Sequence, residues 1–171
     1  MDVSTISFLA KYNKTVNEKM NSYISALDDK TWTKNFGGYF PSIKSLCNHL
    51  YTCDTNWLKR FSKLREFTFI EGTKISDGLS FSVDNIADIS DYLSKREMLD
   101  NKIIEFAHEM KEEDFVKNLT YIDSHGIEYT KNTGFLILHM FNHQTHHRGM
   151  ISVYLDEFKI TNDFSNIYDI I

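Results

Sequence analysis

Proline and glycine are scarce in this sequence, which has one proline and seven glycines in 171 residues. Because both residues interrupt regular backbone structure, their scarcity predicts long helices. Cysteine is also rare, with only Cys47 and Cys53. Six residues apart on one predicted helix, these side chains point about 120° apart and cannot form a disulfide with each other. We expect two reduced thiols that serve as small core residues, as is common in cytoplasmic proteins.

Long apolar runs and an excess of positive charge are missing too. No run approaches the roughly 18 apolar residues that a membrane-spanning helix needs, and residues 1–5 lack the basic and apolar segments of a signal peptide. The net charge is -5, so the chain lacks the basic surface that neutralises nucleic-acid phosphates. We expect a cytoplasmic protein with neither a membrane nor a nucleic acid as its partner.

Length and composition indicate one globular domain, which we assign to residues 1–171. The chain is 42% hydrophobic and 25% charged, a balance that fits neither disorder nor a coiled coil. Apolar residues recur at spacings of three and four in four segments, at about residues 5–27, 42–64, 86–110 and 133–158, and predict four long helices. Pro41 and Ser42 suit the first turn and the cap of the second helix.

The segments between these helices have other patterns. Residues 31–40 and 65–84 contain glycine, serine and threonine and indicate loops, whereas residues 109–114 indicate a solvated helix end. Residues 115–131 change period around a turn-like stretch and predict a β-hairpin. The tail, residues 162–171, is apolar enough to pack back on the helices. The sequence therefore predicts an all-α protein, a four-helix bundle with a small hairpin or irregular insertion before the last helix.

Histidine is concentrated in one place. Of the seven histidines, four fall within nine positions of the last predicted helix, namely His139, His143, His146 and His147. At about 100° per residue, all four lie within about 100° of one another. The apolar side chains nearest to them on that helix are predicted to mark its buried stripe: Phe135, Leu136, Met150, Val153 and Tyr154.

Several buried imidazoles need hydrogen-bond partners for their ring nitrogens and resist protonation together. A metal ion satisfies several of them at once, and two histidines at i and i+4 on a helix can reach one ion. A third ligand should come from another helix, where His49 has apolar neighbours. Three imidazoles would leave coordination positions for water or substrate, as in catalytic sites. The alternative is that the histidines fill polar niches in a structural bundle.

Three segments resemble a known family, the DinB/YfiT-like proteins. Residues 142–149 (NHQTHHRG) resemble its fourth-helix motif, N-H-x-x-x-H-R-G-Q, although Met150 stands in the place of the glutamine and removes a polar group there. Residues 41–49, followed by Asp54 and Trp57, resemble its second-helix motif. Residues 12–18 resemble its opening Y-N-x-x-x-N pattern. The resemblance covers nearly the whole chain.

This resemblance implies a four-helix bundle, often a homodimer, that binds one divalent metal ion, such as zinc, nickel or iron. It implies that His49, His143 and His147 are the metal ligands, a choice that helix geometry leaves open because His139 and His146 face a similar way. We expect His108 and His125 at the surface.

The resemblance also implies a function. Related bundles include S-transferases and isomerases that use low-molecular-weight thiols such as bacillithiol or glutathione, so we expect a metal-dependent transferase or hydrolase with a small-molecule substrate. A non-catalytic metal-binding stress-response module is the alternative. His139, His146 or Asp54 could orient a ligand or relay a proton. For Arg148 we favour an ion pair with an acid on a neighbouring helix over a substrate contact.

Overall fold

Residues 1–168 are described by the computed structural model, and six helices make up most of them. The helices are α1 (Val3–Ile24), α2 (Asp29–Trp32), α3 (Ile43–Phe61), α4 (Ile89–Glu109), α5 (Glu112–Val116) and α6 (Thr133–Glu157). The four long ones, α1, α3, α4 and α6, begin and end within about four residues of the predicted positions, within the usual spread of helix ends. The prediction of a mainly helical protein is confirmed.

A polar side chain caps the start of each long helix, where the first backbone amides have no partner within the helix. The capping residues are Asp2, Ser42, Asp88 and Asn132, each of which accepts a hydrogen bond from a first-turn amide. Ser42 belongs to a capping box, because Ser45 Oγ in turn accepts from the Ser42 amide at 2.9 Å. The predicted cap is confirmed, but Pro41 precedes it, so the prediction of proline inside the first turn was wrong.

The long helices contact one another in a closed series, α1 with α4, α4 with α3, α3 with α6 and α6 with α1. Their apolar faces form one core, in which Phe61 of α3 stacks on Phe106 of α4 at 5.2 Å between ring centroids. The prediction that Phe135 and Val153 belong to the buried stripe of α6 was wrong, since they are 75% and 58% exposed. Helix α6 has apolar side chains on all its sides. Only one side of a helix can face the core, so the others are exposed.

The connection before α6 contains a β-hairpin, as predicted. Strands β1 (Asn118–Ile122) and β2 (Glu128–Asn132) pair antiparallel, with Thr120 opposite Thr130. Gly126 in the turn has a φ of 80°, in the left-handed region that glycine enters without steric cost.

Three short helical elements were missed by the prediction: α2, α5 and a single 3₁₀ turn, Ile75–Asp77, in the predicted loop 65–84. Helix α2 places Trp32 in the core, and α5 occupies part of the stretch that we expected to be solvated. Asp114 of α5 is fully buried and accepts hydrogen bonds from Arg65 at 3.2 Å and Lys117 at 2.9 Å. Short segments like these leave too few turns to produce a helical periodicity.

The tail packs on α1 through Phe164, as predicted for this part of it, whereas residues 165–168 are exposed. The ring of Phe164 lies 6.1 Å from that of Tyr23, and the Tyr12 hydroxyl donates to the Phe164 carbonyl at 3.1 Å. The end of the predicted tail, residues 169–171, lies outside the described residues. Among residues 1–168, none of the helices combines the length and apolar character that crossing a membrane requires.

Candidate metal centre

Helices α3 and α6 bring three histidines together where they pack side by side. His143 Nε2 lies 3.0 Å from His49 Nε2 and 3.1 Å from His147 Nε2. The two contributions from α6 are one helical turn apart, and His49 faces them from α3. The three histidines that the family resemblance selected therefore meet at the Nε2 atom of His143.

The three rings differ in exposure, but each has a lowered pKa. His147 is 5% exposed, while His49 and His143 are half-buried. The pKa of each is lowered to about 4, mainly by burial and in part by neighbouring histidines: His143 acts on His49, and His147 acts on His143. At neutral pH all three imidazoles are uncharged, which is the form that binds metals.

Aromatic rings cover one side of this cluster. The ring of Phe40 lies 4.3 Å from that of His49 and 5.2 Å from that of His147. The Phe40 carbonyl accepts a hydrogen bond from the Tyr154 hydroxyl at 2.8 Å, which ties the loop before α3 to α6. Phe81, from the connection after α3, approaches His49 at 6.3 Å between centroids. A cavity of about 190 Å³ beside His49 lies between Phe40 and Phe81.

Cys53 is a fourth potential donor, which the sequence interpretation treated only as a core residue. Its Sγ lies 3.5 Å from His49 Nε2, and His49, Cys53 and His143 each offer a donor atom within 4.8 Å of the others. This trio could hold a metal ion. The spacing from His49 to Cys53, i and i+4 on one helix, is the signal that could have identified it.

The two possible third donors, Cys53 and His147, differ in protonation state. Burial and the charge of Asp54 together raise the pKa of the Cys53 thiol to about 12, so the thiol is protonated in the metal-free chain. His147, by contrast, is neutral and contacts His143 directly. The pair His49 and His143 therefore has two candidate partners, Cys53 and His147, of which His147 is already in the protonation state that binds a metal.

The other histidines lie outside the cluster. His139 and His146 are exposed, and the ring of His139 packs on Trp57 at 5.5 Å. His108 and His125 are exposed, as predicted. The packing of α6 thus leaves His139 and His146 exposed and directs His143 and His147 toward α3, a distinction that the angles around the helix alone could not make.

The DinB family profile matches residues 1–158 of the chain. The chain belongs to the DinB family. Over 158 residues it is 25% identical to the protein named Protein DinB from Bacillus subtilis (strain 168), an alignment that covers 86% of this chain and 82% of that protein. The DinB-like resemblance of the sequence is thereby confirmed.

A second polar cluster of this DinB-family chain lies directly behind the histidines, on the inner side of α3 and α6. Asp54 accepts hydrogen bonds from Arg96 of α4 at 2.7 Å and from Gln144 of α6. Arg96 also donates to Asp100 at 2.8 Å. All four side chains are at most 2% exposed. The expectation that Asp54 orients a histidine or relays a proton has no support in these contacts, since its partners lie in the core.

Arg148 extends this ionic network to α1. Its Nη1 donates to the amide oxygen of Asn13 at 2.5 Å and to that of Asn17 at 3.2 Å, and Asn17 donates in turn to Asp100 at 2.9 Å. The prediction that Arg148 pairs directly with an acid was wrong, because two asparagine amides separate it from the carboxylate. Asn13 and Asn17 of the opening pattern thus contact Arg148, the residue after the last histidine of the α6 motif.

Proposed function

We propose that this DinB-family chain is a four-helix bundle that binds one divalent metal ion through His49, His143 and His147. The observation that carries the proposal is the double contact of His143 Nε2, with one nitrogen at 3.0 Å and another at 3.1 Å. A ring nitrogen of a neutral imidazole has either one hydrogen or one lone pair. It can form one in-line hydrogen bond, so hydrogen bonding accounts for only one of the two contacts. A shared cation accounts for both.

The two contacts of His143 Nε2 also have the spacing of nitrogens that share an ion. Ligand nitrogens about 2.1 Å from zinc lie about 3.0 to 3.4 Å apart, depending on the coordination angle. Imidazole donors suit zinc, nickel and iron. The Nδ1 atoms of His143 and His147 are buried and have no hydrogen-bond partner within residues 1–168, so Nε2 is the atom that each ring directs toward its neighbours.

We further propose that the site is catalytic, in a metal-dependent enzyme of the thiol-dependent S-transferase or hydrolase type. When bound, the ion would lower the pKa of a thiol or water ligand and so favour the nucleophilic form. The chain's own residues support such a role. Burial keeps the three imidazoles neutral, Phe40 excludes water from one side, and the cavity beside His49 leaves room for a small molecule.

Metal binding is tested by stripping the full-length chain with a chelator, reloading it with zinc, nickel or iron(II), and measuring metal per chain after desalting. The expected result is about one equivalent for the best metal. His143→Ala should retain less than about a tenth of that amount, because it removes the central ligand. His139→Ala is the matched control, an exposed histidine one turn away on the same helix, and should load normally. Loading of His143→Ala to the wild-type level would contradict the proposal.

Catalysis is tested by incubating the metal-loaded chain with a panel of electrophiles and with ester and amide substrates. Each electrophile is supplied with bacillithiol, with glutathione or without a thiol. We expect turnover that requires the metal and is absent in His143→Ala. Dependence on one thiol would indicate the transferase, and turnover without thiol would indicate the hydrolase. Stoichiometric metal binding without turnover on the whole panel would contradict the catalytic proposal and favour a non-catalytic metal-binding module.

A further inference from the structure

A second cavity lies apart from the histidine cluster and contains none of its three rings. It is a cleft of about 510 Å³ between the C-terminal turns of α3, the segment 79–82 and the tip of the hairpin. This volume lies in the range of small-molecule sites. We call it the basic cleft, because Lys59, Arg60 and Lys63 line it with one acid, Asp123. The concentration of positive charge is unusual in a chain whose net charge is -5.

Arg60 is the residue that distinguishes this cleft from an ordinary basic surface. Its guanidinium is half-buried between the rings of Trp57 and Tyr121, at 4.7 Å and 4.9 Å from their centroids. Among residues 1–168 it forms no ion pair within 4.0 Å, and the Ile122 carbonyl is its one side-chain hydrogen-bond acceptor, at a long 3.4 Å. Burial lowers its pKa. A partly desolvated cation without a counter-ion favours binding of an anion.

The charged side chains near Arg60 leave its guanidinium available to an anion. Asp123 uses Oδ1 to accept hydrogen bonds from the backbone amides of His125 and Ile127, at 2.8 Å and 2.9 Å, and so stabilises the hairpin turn. Lys59 donates to the Asp77 carbonyl at 2.7 Å, whereas exposed Lys63 has no described side-chain partner. The cleft therefore combines a rigid arginine fork with a mobile ammonium, a pairing suited to a carboxylate or phosphate group.

The basic cleft lies next to the histidine cluster. Phe81 lines both this cleft and the smaller cavity beside His49. Along α3, Arg60 follows Cys53 by seven residues and His49 by eleven, which corresponds to about 10 and 16 Å at 1.5 Å per residue. A molecule held at Arg60 can therefore extend past Phe81 toward the histidines.

We propose that the basic cleft is an anion-binding subsite, which holds a carboxylate or phosphate group of the substrate while the reacting end lies at the histidines. The subsite itself depends only on the cleft, and its assignment to a substrate rests on the proposed function. The substrate class is thus a small acidic molecule whose anionic group lies roughly 10 to 16 Å from its reacting atom.

The probes for the test are inorganic phosphate and succinate, titrated into the full-length chain at constant ionic strength, with 1,4-butanediol as the uncharged counterpart of succinate. Trp57 fluorescence and calorimetry report binding, because the Trp57 ring contacts Arg60. We expect saturable binding of at least one anion and none of the diol. The two anions distinguish a phosphate from a carboxylate as the group recognised.

Substitutions in the basic cleft test whether the anion binds there. Arg60→Met keeps the stem that packs on the two rings and removes the charge, and it should weaken binding at least tenfold. Lys63→Gln alters an exposed side chain that the fold does not require, and it should weaken binding about threefold. The matched control is Lys11→Gln with Lys19→Gln, two exposed lysines of α1 without described ion pairs, which should bind like the wild type.

Each titration is made on the chain as purified and after chelation, so that the two proposals fail separately. Anion binding that survives chelation and is lost in Arg60→Met supports the subsite, even if no metal binds. Binding that disappears on chelation and is unaffected by Arg60→Met places the anion on the metal and overturns the subsite. Absence of saturable binding of both anions also overturns it, and it leaves the metal proposal intact.

Discussion

Two polar clusters occupy the same pair of helices, and they lie back to back. His143 contacts His49 and His147, while the residues that follow the two histidines of α6, Gln144 and Arg148, belong to the ionic network in the core. On α3, Cys53 lies beside His49 and Asp54 joins the network. Neighbouring residues of one helix thus face different sides of it, since successive residues differ by about 100°.

The clusters differ in how their charges are balanced. The network combines two carboxylates, Asp54 and Asp100, with two guanidiniums, Arg96 and Arg148, and the amides of Asn13 and Asn17 connect them. The histidine cluster has three uncharged rings whose nitrogens face one another. The network contains its own counter-charges. The histidine cluster contains none, and the proposed metal ion would supply the positive charge that its nitrogens face.

The largest effect should come from removing Arg96, which Asp54 and Asp100 share. Arg96→Met leaves two buried carboxylates without a cation, and we expect a loss of about 3 to 5 kcal/mol of unfolding free energy. Urea denaturation measures it. The matched control is Lys95→Met on the same helix, whose half-exposed ion pair with Asp91 should contribute less than about 1 kcal/mol. Equal losses in the two variants would show that the network is no more important than a surface pair.

In the histidine cluster, a substitution should weaken metal binding and not the fold. His143→Ala should weaken metal binding by at least about 100-fold, near 2.7 kcal/mol, and should leave the stability of the metal-free chain almost unchanged. Added metal should raise the melting temperature of the wild type and not that of the variant, because a ligand stabilises only the state that binds it. Thermal unfolding with and without metal measures both. A large loss of metal-free stability in His143→Ala would mean that the cluster is structural.

The pH dependence of the metal-free chain gives a third comparison. The three histidines have a pKa of about 4 in the folded chain, against an ordinary value of 6.5. The unfolded chain therefore binds protons more tightly, and unfolding free energy should fall as the pH drops from 6.5 to 4. Because the rings are partly exposed, we expect a total loss of about 2 to 3 kcal/mol rather than the full value of the shifts.

His143→Asn isolates the contribution of the histidines. Burial raises the pKa of Asp100 to about 6, so this group stabilises the fold at low pH and acts against the histidines, equally in the wild type and the variant. The variant should lose less stability than the wild type over the same pH range, as measured by urea denaturation at each pH. Parallel curves for the two proteins would contradict the assignment of the slope to the cluster.

The smallest effect should come from Cys53, which distinguishes the two donor sets. If three histidines bind the ion, Cys53→Ser should change metal affinity by less than tenfold, or about 1.4 kcal/mol. The cobalt(II)-loaded wild type should then lack a thiolate-to-metal charge-transfer band. A strong band that disappears in Cys53→Ser would replace His147 with Cys53 in the ligand set.

Local sequence features determined much of this molecule. The long helices, the cap at Ser42 and the hairpin were predictable because periodicity and turn chemistry depend on near neighbours. Helix α2 was not, since four residues contain barely one turn. The family motifs likewise selected His49, His143 and His147 before any geometry was available, although the ligand set itself is a proposal.

The tertiary structure decided the rest. Rotation about α6 alone could not separate His143 from His146, or predict that Phe135 would be exposed, because the direction of the core depends on where α3 and α1 pack. The same packing brought His49 to His143 and placed two asparagines between Arg148 and Asp100. A sequence specifies which side chains each helix can offer, but contacts between helices distant along the chain are fixed only when all of them bury their apolar faces together.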